Sequence, residues 1–339
     1  MMYKLLRELL FCLPPEASHD VALIAMGVSN SLGLSGLLAA KVKGEPCELM
    51  GIKFPHRVGL AAGLDKNADY VDALAALGFG FIEVGTLTPR PQPGNPKPRL
   101  FRLQREQGII NRMGFNNKGI EHACARLRQR HSQGIVGINI GKNFDTPVEA
   151  AADDYTTCLR ASYVHADYVT VNISSPNTPG LRSLQLGDEL NRLLDKLKQE
   201  QALLAAQHGR YVPLVVKLAP DLSESEVKSC CKSLTSRAID GVIATNTTLD
   251  RSRIAGSPFA VEAGGLSGAP LTEMSTQVIA QIKSHVGNQL PIIGVGGIMS
   301  AADAIAKREA GADLLQLYSG FIYSGPALID DILTAIDHA

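Results

Sequence analysis

The chain has 339 residues, 45% of them hydrophobic and 19% charged, so it is long enough to bury a large core. Its 33 basic side chains balance 33 acidic ones, and without a basic excess to neutralise phosphates nucleic acid is not an expected partner. Six scattered cysteines form no C-x-x-C pair and have no metal-ligand spacing, which is typical of reduced thiols in an intracellular protein.

Residues 1–44 are predicted to form a separate unit of two short amphipathic helices. Pro14 and Pro15 end the first helix, and Ser18 is expected to cap a second that continues towards Leu38. Charged residues interrupt the first apolar segment and no small-residue cleavage site follows, so a signal peptide is not expected. No apolar run reaches the roughly 18 residues of a membrane span. The pattern favours a plug for one end of the next domain over a membrane-surface or hydrophobic-ligand module.

From residue 45 onwards, short apolar strands alternate with helix-length amphipathic stretches. The predicted strands are 58–62, 81–84, 135–140, 168–173, 214–218, 241–244, 292–295 and 314–317. The predicted helices include 68–77, 147–163, 188–207, 224–237, 271–286 and 301–310. Eight such units indicate an α/β fold, a (β/α)8 TIM barrel of typically ~250 residues, over 45–339. A doubly wound sheet is the alternative, but the first strand lacks the G-x-G-x-x-G turn of a dinucleotide-binding unit.

Two connections are candidates for function. Residues 86–115 form one long connection, which inside a compact domain is usually functional, and 95–99 within it is predicted to be turn-rich. The loop at 171–182 has two asparagines that bracket two serines, and prolines on either side of Asn177 restrict its backbone. Taken alone this loop also fits an ordinary connector, and its neighbours favour a site.

The carboxyl ends of barrel strands face one mouth, where barrel enzymes place their chemistry. The residues at these ends are Gly63, Asp65, Lys66, Gly85, Thr86, Asn139, Lys142, Asn172, Ser174, Ser175, Lys217, Thr245, Asn246, Thr247, Gly296, Gly297, Tyr318, Ser319 and Gly320. They are mostly amides, hydroxyls and glycines with a few lysines, and they lack a metal-type cluster. This set suits an anionic ligand, and the glycines after the last two strands suit a phosphate.

Lys66 and Lys217 have three possible roles at such a mouth. A desolvated lysine can form a Schiff base, an interior lysine can belong to a structural ion pair, and an ammonium can stabilise negative charge on a cofactor. Their positions beside the expected phosphate site favour cofactor contact.

Nine segments of the chain together resemble one family. They are 59–67, 94–102, 111–115, 172–182, 216–222, 244–248, 264–268, 293–297 and 316–320. With the N-terminal helices they make the whole chain similar to class 2 dihydroorotate dehydrogenase, the quinone-linked flavoenzyme of pyrimidine biosynthesis. Ser319 is a small departure, since threonine is expected there more often.

The resemblance implies FMN-dependent oxidation of (S)-dihydroorotate to orotate, with hydride transfer to flavin N5 and Ser175 as the base. A related class uses cysteine as the base and is disfavoured, because 172–182 contains no cysteine. Thr178 or an ordered water is a candidate proton relay. The implied FMN contacts are Ala62, Gly63, Leu64, Asp65, Lys66, Thr86, Asn139, Asn172, Lys217, Thr245, Gly268, Gly297, Tyr318 and Ser319. The implied substrate contacts are Lys66, Asn111, Arg112, Met113, Gly114, Phe115, Asn172, Asn177, Asn246 and Thr247.

In this family the N-terminal helices form a hydrophobic tunnel to the flavin and rest on the membrane. The resemblance therefore replaces the plug with a quinone tunnel over 1–44. His19 and Arg102 are the implied quinone contacts, and Tyr318 lies between tunnel and flavin. The apolar side chains assigned to the tunnel or the membrane face are Leu5, Leu6, Leu9 and Leu10. The implied state is a monomer, peripheral on the cytoplasmic side of the bacterial inner membrane.

Two other functions remain open at this point. The same FMN barrel could pass electrons to a soluble acceptor such as fumarate or NAD, although such an acceptor needs no apolar helical pair. A non-catalytic, membrane-resting phosphate-binding barrel is the second alternative, although it has no use for the loop around Ser175.

Overall fold

The computed structural model describes residues 2–37 and 39–337. The helices are α1 (Met2–Phe11), α2 (Pro15–Ser31), α3 (Val71–Ala75), α4 (Ile120–Arg128), α5 (Ala151–Ser162), α6 (Gly187–His208), α7 (Glu224–Ser236), α8 (Thr272–Val286), α9 (Ala301–Glu309), α10 (Ser319–Ser324) and α11 (Ala327–Ile336). The strands are β1 (Cys47–Leu49), β2 (Ile52–Phe54), β3 (Val58–Leu60), β4 (Phe81–Leu87), β5 (Leu100–Leu103), β6 (Gly108–Asn111), β7 (Ile135–Ile140), β8 (Tyr168–Asn172), β9 (Leu214–Leu218), β10 (Gly241–Ala244), β11 (Gly265–Gly268), β12 (Ile292–Val295) and β13 (Leu314–Leu317).

Eight parallel strands close into a barrel, which confirms the predicted fold and makes the doubly wound alternative wrong. Around the barrel the order is β3, β4, β7, β8, β9, β10, β12 and β13, and β13 pairs with β3 to close it. These strands are buried on both faces, so they consist of short, nearly continuous apolar runs. That composition is why most predicted strand bounds agree with the structure to within a residue or two.

The antiparallel β1–β2 hairpin and aromatic side chains fill the amino-terminal end of the barrel. Phe54 of the hairpin packs edge to face against Phe81, with ring centroids 5.2 Å apart, and Phe81 contacts the ring of Tyr168 in the same manner. This end is therefore a packed core, and the opposite end, at the carboxyl ends of the strands, carries the polar residues.

The first helix of the barrel, α3, is shorter than predicted because a buried carboxylate holds the residues before it. Asp65 accepts hydrogen bonds from the backbone N–H groups of Asn67, Asp69 and Tyr70 at 2.8–3.2 Å. These residues form a turn around the carboxylate, and the helix begins only at Val71.

The expected cap of the second N-terminal helix is wrong. Helix α2 begins at Pro15, since a proline at the first helical position gives up an N–H that would have had no partner there. Ser18 is buried inside α2, where its backbone N–H donates to Pro14 O at 2.9 Å. The helix ends at Ser31, well before Leu38, which lies outside the described residues.

The long connection at 86–115 contains two strands that the sequence did not predict. Strands β5 and β6 pair with each other, and β6 also pairs with the distant β11 in a three-stranded antiparallel sheet beside the mouth. Helices α1 and α2 pack against this side of the barrel, α1 on α10 and α2 on α3 and β5. In the part of the chain that the structure describes, no helix is both long and apolar enough to cross a membrane.

Candidate functional site

A cavity opens at the carboxyl ends of the barrel strands and gathers most of the residues that the sequence selected. The predicted residues that line it are Ala62, Gly63, Lys66, Thr86, Asn111, Met113, Gly114, Phe115, Asn172, Ser175, Asn177, Lys217, Thr245, Asn246, Thr247, Gly268, Gly297, Tyr318 and Ser319. They come from all parts of the chain between residues 62 and 319. We call this space the mouth cavity.

Ser175 lies on the loop after β8, in a fixed and nearly dry position. Its side chain is buried, and its Oγ accepts a hydrogen bond from the backbone N–H of Asn177 at 3.2 Å. The amide of Asn177 in turn donates to Asn111 O at 3.1 Å, which ties this loop to β6. Nearby, Thr178 is buried and its Oγ1 has no hydrogen-bond partner among the described residues. The loop thus places the hydroxyl of Ser175 at the cavity wall and the hydroxyl of Thr178 in the buried interior nearby.

Side-chain amides form a connected floor at the same strand ends. Asn172 donates to Thr86 Oγ1 at 3.0 Å and to Asn139 Oδ1 at 3.1 Å, while Asn246 donates to Ser174 Oγ at 3.0 Å. Because each amide is held by its neighbours, the donors and acceptors that face the cavity are fixed in direction. Such a floor can recognise a ring that carries imide and carbonyl groups.

Two buried ammonium groups face the mouth cavity from opposite sides. Burial lowers the pKa of Lys66 to about 8, and the nearby acidic groups, Asp20 first among them, oppose that shift. Burial also lowers the pKa of Lys217, opposed by the charge of Glu83 beneath it. Burying a positive charge is costly unless negative charge lies nearby. Both lysines are therefore suited to a ligand that is anionic, or that becomes anionic when it accepts electrons.

The loops after β11 and β12 bring bare backbone to the cavity wall. Gly297 has φ of +71°, and a Cβ there would lie 2.3 Å from Cα of Thr272, so only glycine fits between the loop and α8. On the other side, the hydroxyls of Ser267 and Ser319 lie 2.8 Å apart. Exposed backbone next to hydroxyls is typical of a phosphate site.

Four of the residues predicted to contact FMN or substrate do not line the mouth cavity. Leu64 is turned into the neighbouring apolar cavity described below, and Asp65 is buried under the turn before α3. Asn139 lies beneath the floor, where it accepts from Thr86 and donates to Glu83 at 2.6 and 2.7 Å. Arg112 points away, forms an ion pair of 2.6 Å with Glu262 and covers the ring of Phe101. Direct contact of these four with a ligand stays a prediction.

Sequence reasoning missed a buried carboxylate below the floor. Glu83 is fully buried and accepts from Asn139 Nδ2, Gln316 Nε2 and Tyr168 OH at 2.7–3.1 Å. Gln316 lines the mouth cavity, and its Oε1 is buried without a hydrogen-bond partner among the described residues. The available signal was one acidic residue inside the apolar run 81–84, at an inward position of β4.

A second, apolar cavity of about 380 Å³ lies between the N-terminal helices and the barrel. Its wall is built mainly from α1, α2, β5 and α10, and includes Leu6 and Leu10 of the predicted tunnel residues. His19 and Arg102 are among its polar groups, with Arg7 and Tyr3, and Tyr318 lines both this cavity and the mouth cavity. The three residues predicted for a quinone are therefore brought together.

The two cavities meet at a contact between His19 and Lys66, whose Nε2 and Nζ atoms are 3.4 Å apart. Burial lowers the pKa of His19 to about 3, and the positive charge of Lys66 adds to that effect, so the imidazole is neutral at physiological pH. Arg102 is held by Phe11, donating to its carbonyl at 3.1 Å and lying 3.9 Å from the centre of its ring. Helix α1 thereby fixes the guanidinium at the wall.

The N-terminal helices leave many apolar side chains on the outside. Leu5 and Leu9 of α1 are 69% and 64% exposed, and Ile24 and Val28 of α2 are 56% and 53% exposed. These four residues lie at helical spacing on the two helices, as expected of an apolar face. We call them the outer apolar face.

The sequence of the chain is similar to those of known proteins of one family. The family model described as dihydroorotate dehydrogenase matches residues 46–339. A relative from Cellvibrio japonicus (strain Ueda107), named dihydroorotate dehydrogenase (quinone), is 60% identical over 328 residues, which cover 97% of this chain and 96% of the relative. A relative with the same name from Pseudomonas fluorescens (strain SBW25) is 56% identical over 335 residues, covering 99% of this chain and 98% of the relative.

A solved structure is also similar over nearly the whole chain. The crystal structure of DHODH in complex with ferulenol from Eimeria tenella has a TM-score of 0.86 and 36% sequence identity, and the match covers 95% of this chain and 90% of that one. Together with the relatives that carry the quinone-dependent name, this establishes that the chain belongs to the dihydroorotate dehydrogenase family, in its quinone-dependent class 2.

Proposed function

We propose that the chain oxidises (S)-dihydroorotate to orotate with bound FMN and passes the electrons to a membrane quinone, in the de novo synthesis of pyrimidine nucleotides. The observation that carries this proposal is the pair of adjoining cavities. One is polar and holds Ser175 among fixed amides, and the other is apolar, with Tyr318 in the wall that both share. A polar ring and a hydrophobic acceptor thus have separate places next to one another.

The residues of the mouth cavity fit FMN. Lys217 is a buried cation that only the charge of Glu83 opposes, and the carbonyl oxygen of Gln316 has no hydrogen-bond partner among the described residues. Gly297 offers backbone without a side chain of its own. We assign the ring to the side of Lys66, Thr86, Asn172, Lys217 and Tyr318, and the phosphate to Gly268, Gly297 and Ser319. Bound FMN would accept a hydride at N5.

The substrate would lie on the amide floor beside Ser175. Asn111, Asn172, Asn177 and Asn246 present donors and acceptors that suit the edges of a pyrimidine ring. Ser175 would take the proton from C5, and its burial and fixed loop supply the positioning and dryness that a weak base needs. Thr178, whose hydroxyl has no partner among the described residues, is the candidate to pass that proton on.

The N-terminal helices would form a quinone-tunnel and membrane-association unit in front of the FMN barrel. His19 and Arg102 supply the polar groups for a quinone head, and the apolar wall suits an isoprenoid tail. The outer apolar face would rest in the lipid interface, since exposed leucine, isoleucine and valine gain from leaving water. We therefore place the protein peripherally on the cytoplasmic side of the bacterial inner membrane, as a monomer.

Anaerobic stopped-flow spectroscopy tests the proposal on the purified protein. Dihydroorotate should bleach the flavin absorbance, and a quinone analogue should then restore it. Recovery with fumarate or NAD in place of the quinone would contradict the proposed acceptor. A protein that binds no flavin when FMN is supplied would contradict the cofactor and the reaction together.

The base is tested separately with Ser175→Ala in the same assay. We expect the variant to bind FMN and orotate as the wild type does and to reduce its flavin roughly 10²- to 10⁴-fold more slowly, the usual contribution of a positioned base. Ser183→Ala is the matched control, because this serine lies just after the same loop and its hydroxyl bonds, in the described part of the chain, only to nearby residues, Gly180 O at 2.8 Å and Glu189. If Ser175→Ala reduces its flavin as fast as the wild type, Ser175 is not the base.

A further inference from the structure

Lys307 is a fully buried lysine that the reaction described above does not use. It lies on α9, outside the mouth cavity, and none of its surface is exposed. Burial lowers the pKa of its ammonium to about 7, opposed by the charge of Asp303. Burying the ammonium of a lysine costs free energy because desolvation disfavours its charged form, so hydrogen bonds or an opposite charge must compensate for it.

The ammonium of Lys307 bonds to the first turn of α8. Its Nζ donates to Ser275 Oγ at 2.6 Å, to Thr276 Oγ1 at 2.9 Å and to Thr272 O at 3.3 Å. An ammonium has three N–H donors, so these three acceptors satisfy it completely. Lys307 thus holds the beginning of α8, whose N-cap residue, Leu271, has no polar side chain to cap the helix.

The same turn of α8 holds the glycine loop of the mouth cavity. Ser275 Oγ lies 2.8 Å from Gly296 O, which is nearer than the two helix carbonyl oxygens that it also reaches, Leu271 O at 2.9 Å and Thr272 O at 3.1 Å. Thr272 Oγ1 donates to Gly297 O at 2.7 Å. The carbonyl oxygens of Gly296 and Gly297 therefore accept hydrogen bonds from α8, on the side of the loop that faces away from the cavity. With the oxygens held there, the N–H groups of the loop are free to point towards an anion in the cavity.

We propose that Lys307 is a positioning residue for the flavin phosphate: through Ser275 and Thr272 it fixes the orientation of the loop at Gly296 and Gly297. This inference rests on the proposed FMN function. It predicts that Lys307 acts on the phosphate end of the cofactor alone, because its bonds reach that loop and not the amide floor or Lys217.

A purely structural lysine and a positioning lysine differ in one measurable respect. If Lys307 only fills the space between α8 and α9, its loss lowers stability and affects every ligand of the mouth cavity alike. If it orients the phosphate loop, its loss weakens FMN binding and leaves binding of riboflavin, which has no phosphate, unchanged. The ratio of the two dissociation constants therefore separates the two roles.

The experiment measures the dissociation constants of FMN and riboflavin by fluorescence quenching on deflavinated wild type, Lys307→Met and Ser275→Ala. Methionine keeps most of the length of the buried stem and removes the charge and the three donors. We expect the FMN constant of Lys307→Met to rise at least tenfold and the riboflavin constant to change less than twofold. Ser275→Ala, a smaller change, should alter the FMN constant in the same direction and provides the test if Lys307→Met fails to fold.

Lys283→Met is the control, since this lysine lies in the last turn of α8 and, among residues 2–37 and 39–337, donates only to Asn288, at 2.8 Å. Its FMN and riboflavin constants should equal those of the wild type. Equal weakening of both ligands in Lys307→Met, or no change in either, would overturn the positioning role while the FMN function stands. A wild type that binds FMN no more tightly than riboflavin would overturn the phosphate site and this role together.

Discussion

Glu16 near the start of α2 ties the N-terminal helices to the barrel, and its loss should detach them. Arg99, in the connection before β5, donates to Glu16 Oε1 through Nη2 at 2.8 Å and through Nε at 3.2 Å. The side chains are 8% and 17% exposed, so the pair is largely withdrawn from water. Although burial raises the pKa of Glu16, the bonds and charge of Arg99 lower it on balance, so Glu16 is ionised at neutral pH. Glu16→Gln removes the charge and keeps the size.

The magnitude follows from what Arg99 retains in the variant. Removing one partner of a buried ion pair costs roughly 3–5 kcal/mol. Arg99 keeps two carbonyl acceptors, Pro93 O at 2.6 Å and Asn95 O at 2.9 Å, and Glu16 is partly open to water. We therefore expect a loss of about 2–3 kcal/mol, which corresponds to a roughly 30- to 140-fold larger population with α2 detached.

Hydrogen exchange and two kinetic assays measure the effect. Backbone amides of α2 should exchange faster by that factor. The KM for a quinone analogue should rise because His19, on α2, leaves the wall of the apolar cavity that it lines together with Arg102. Flavin reduction by dihydroorotate should change much less than the KM for the quinone, since the amide floor and Ser175 are untouched and only Lys66, beside α2, loses a charged neighbour.

Lys97→Met is the matched control for this prediction. Lys97 also contacts Glu16, at 3.2 Å, but its side chain is 66% exposed, and such pairs contribute roughly 0–1 kcal/mol. Its α2 amides should exchange almost as in the wild type. If the α2 amides of Glu16→Gln exchange at the same rate as those of the wild type, the buried ion pair does not hold the N-terminal helices in place.

Three further predictions concern the barrel. Gly297→Ala should raise the FMN dissociation constant at least tenfold in fluorescence titration, because its Cβ would lie 2.3 Å from Cα of Thr272; an unchanged constant would contradict the close approach. Glu83→Gln should lower the free energy of unfolding in urea by roughly 2–4 kcal/mol, since a new amide donor would face that of Asn139, and equal midpoints would argue against it. The pKa of Lys66, lowered to about 8 by burial, means that its charge is present below that pH and lost above it. The orotate dissociation constant, followed by the flavin spectrum, should therefore rise above pH 8 by up to about tenfold per unit, and Lys66→Met should abolish the rise; a flat wild-type profile would exclude the role.

The barrel and the polar strand ends could be predicted because their signals are local. Parallel strands buried on both faces must be short apolar runs, and the topology of a barrel then sends every carboxyl end to one mouth. For this reason Ser175, Lys66 and Lys217 could be selected as a group before their distances were known. The N-terminal helices were visible for a similar reason, since their apolar spacing has the helical period.

Features that depend on distant partners could not be read from the chain. Strands β5 and β6 pair locally as a hairpin, but the third strand of their sheet, β11, lies more than 150 residues later. The start of α2 depended on Pro15, since a proline is tolerated at the first helical position. The same limit applies to Arg112, whose motif predicts a substrate contact while the tertiary structure pairs its guanidinium with Glu262.

Local sequence patterns thus predicted which types of residue lie at the site, whereas the packing of distant elements decided which residues they contact. The sequence by itself determined the strand order, the mouth and the kinds of groups that meet there, because periodicity and strand ends are properties of neighbours along the chain. Only the tertiary structure decided that His19 meets Lys66 where two cavities adjoin, and that Lys307 lies behind the glycine loop. Buried charges are placed by elements far apart in sequence, and their stabilisation depends on distances that no local pattern contains.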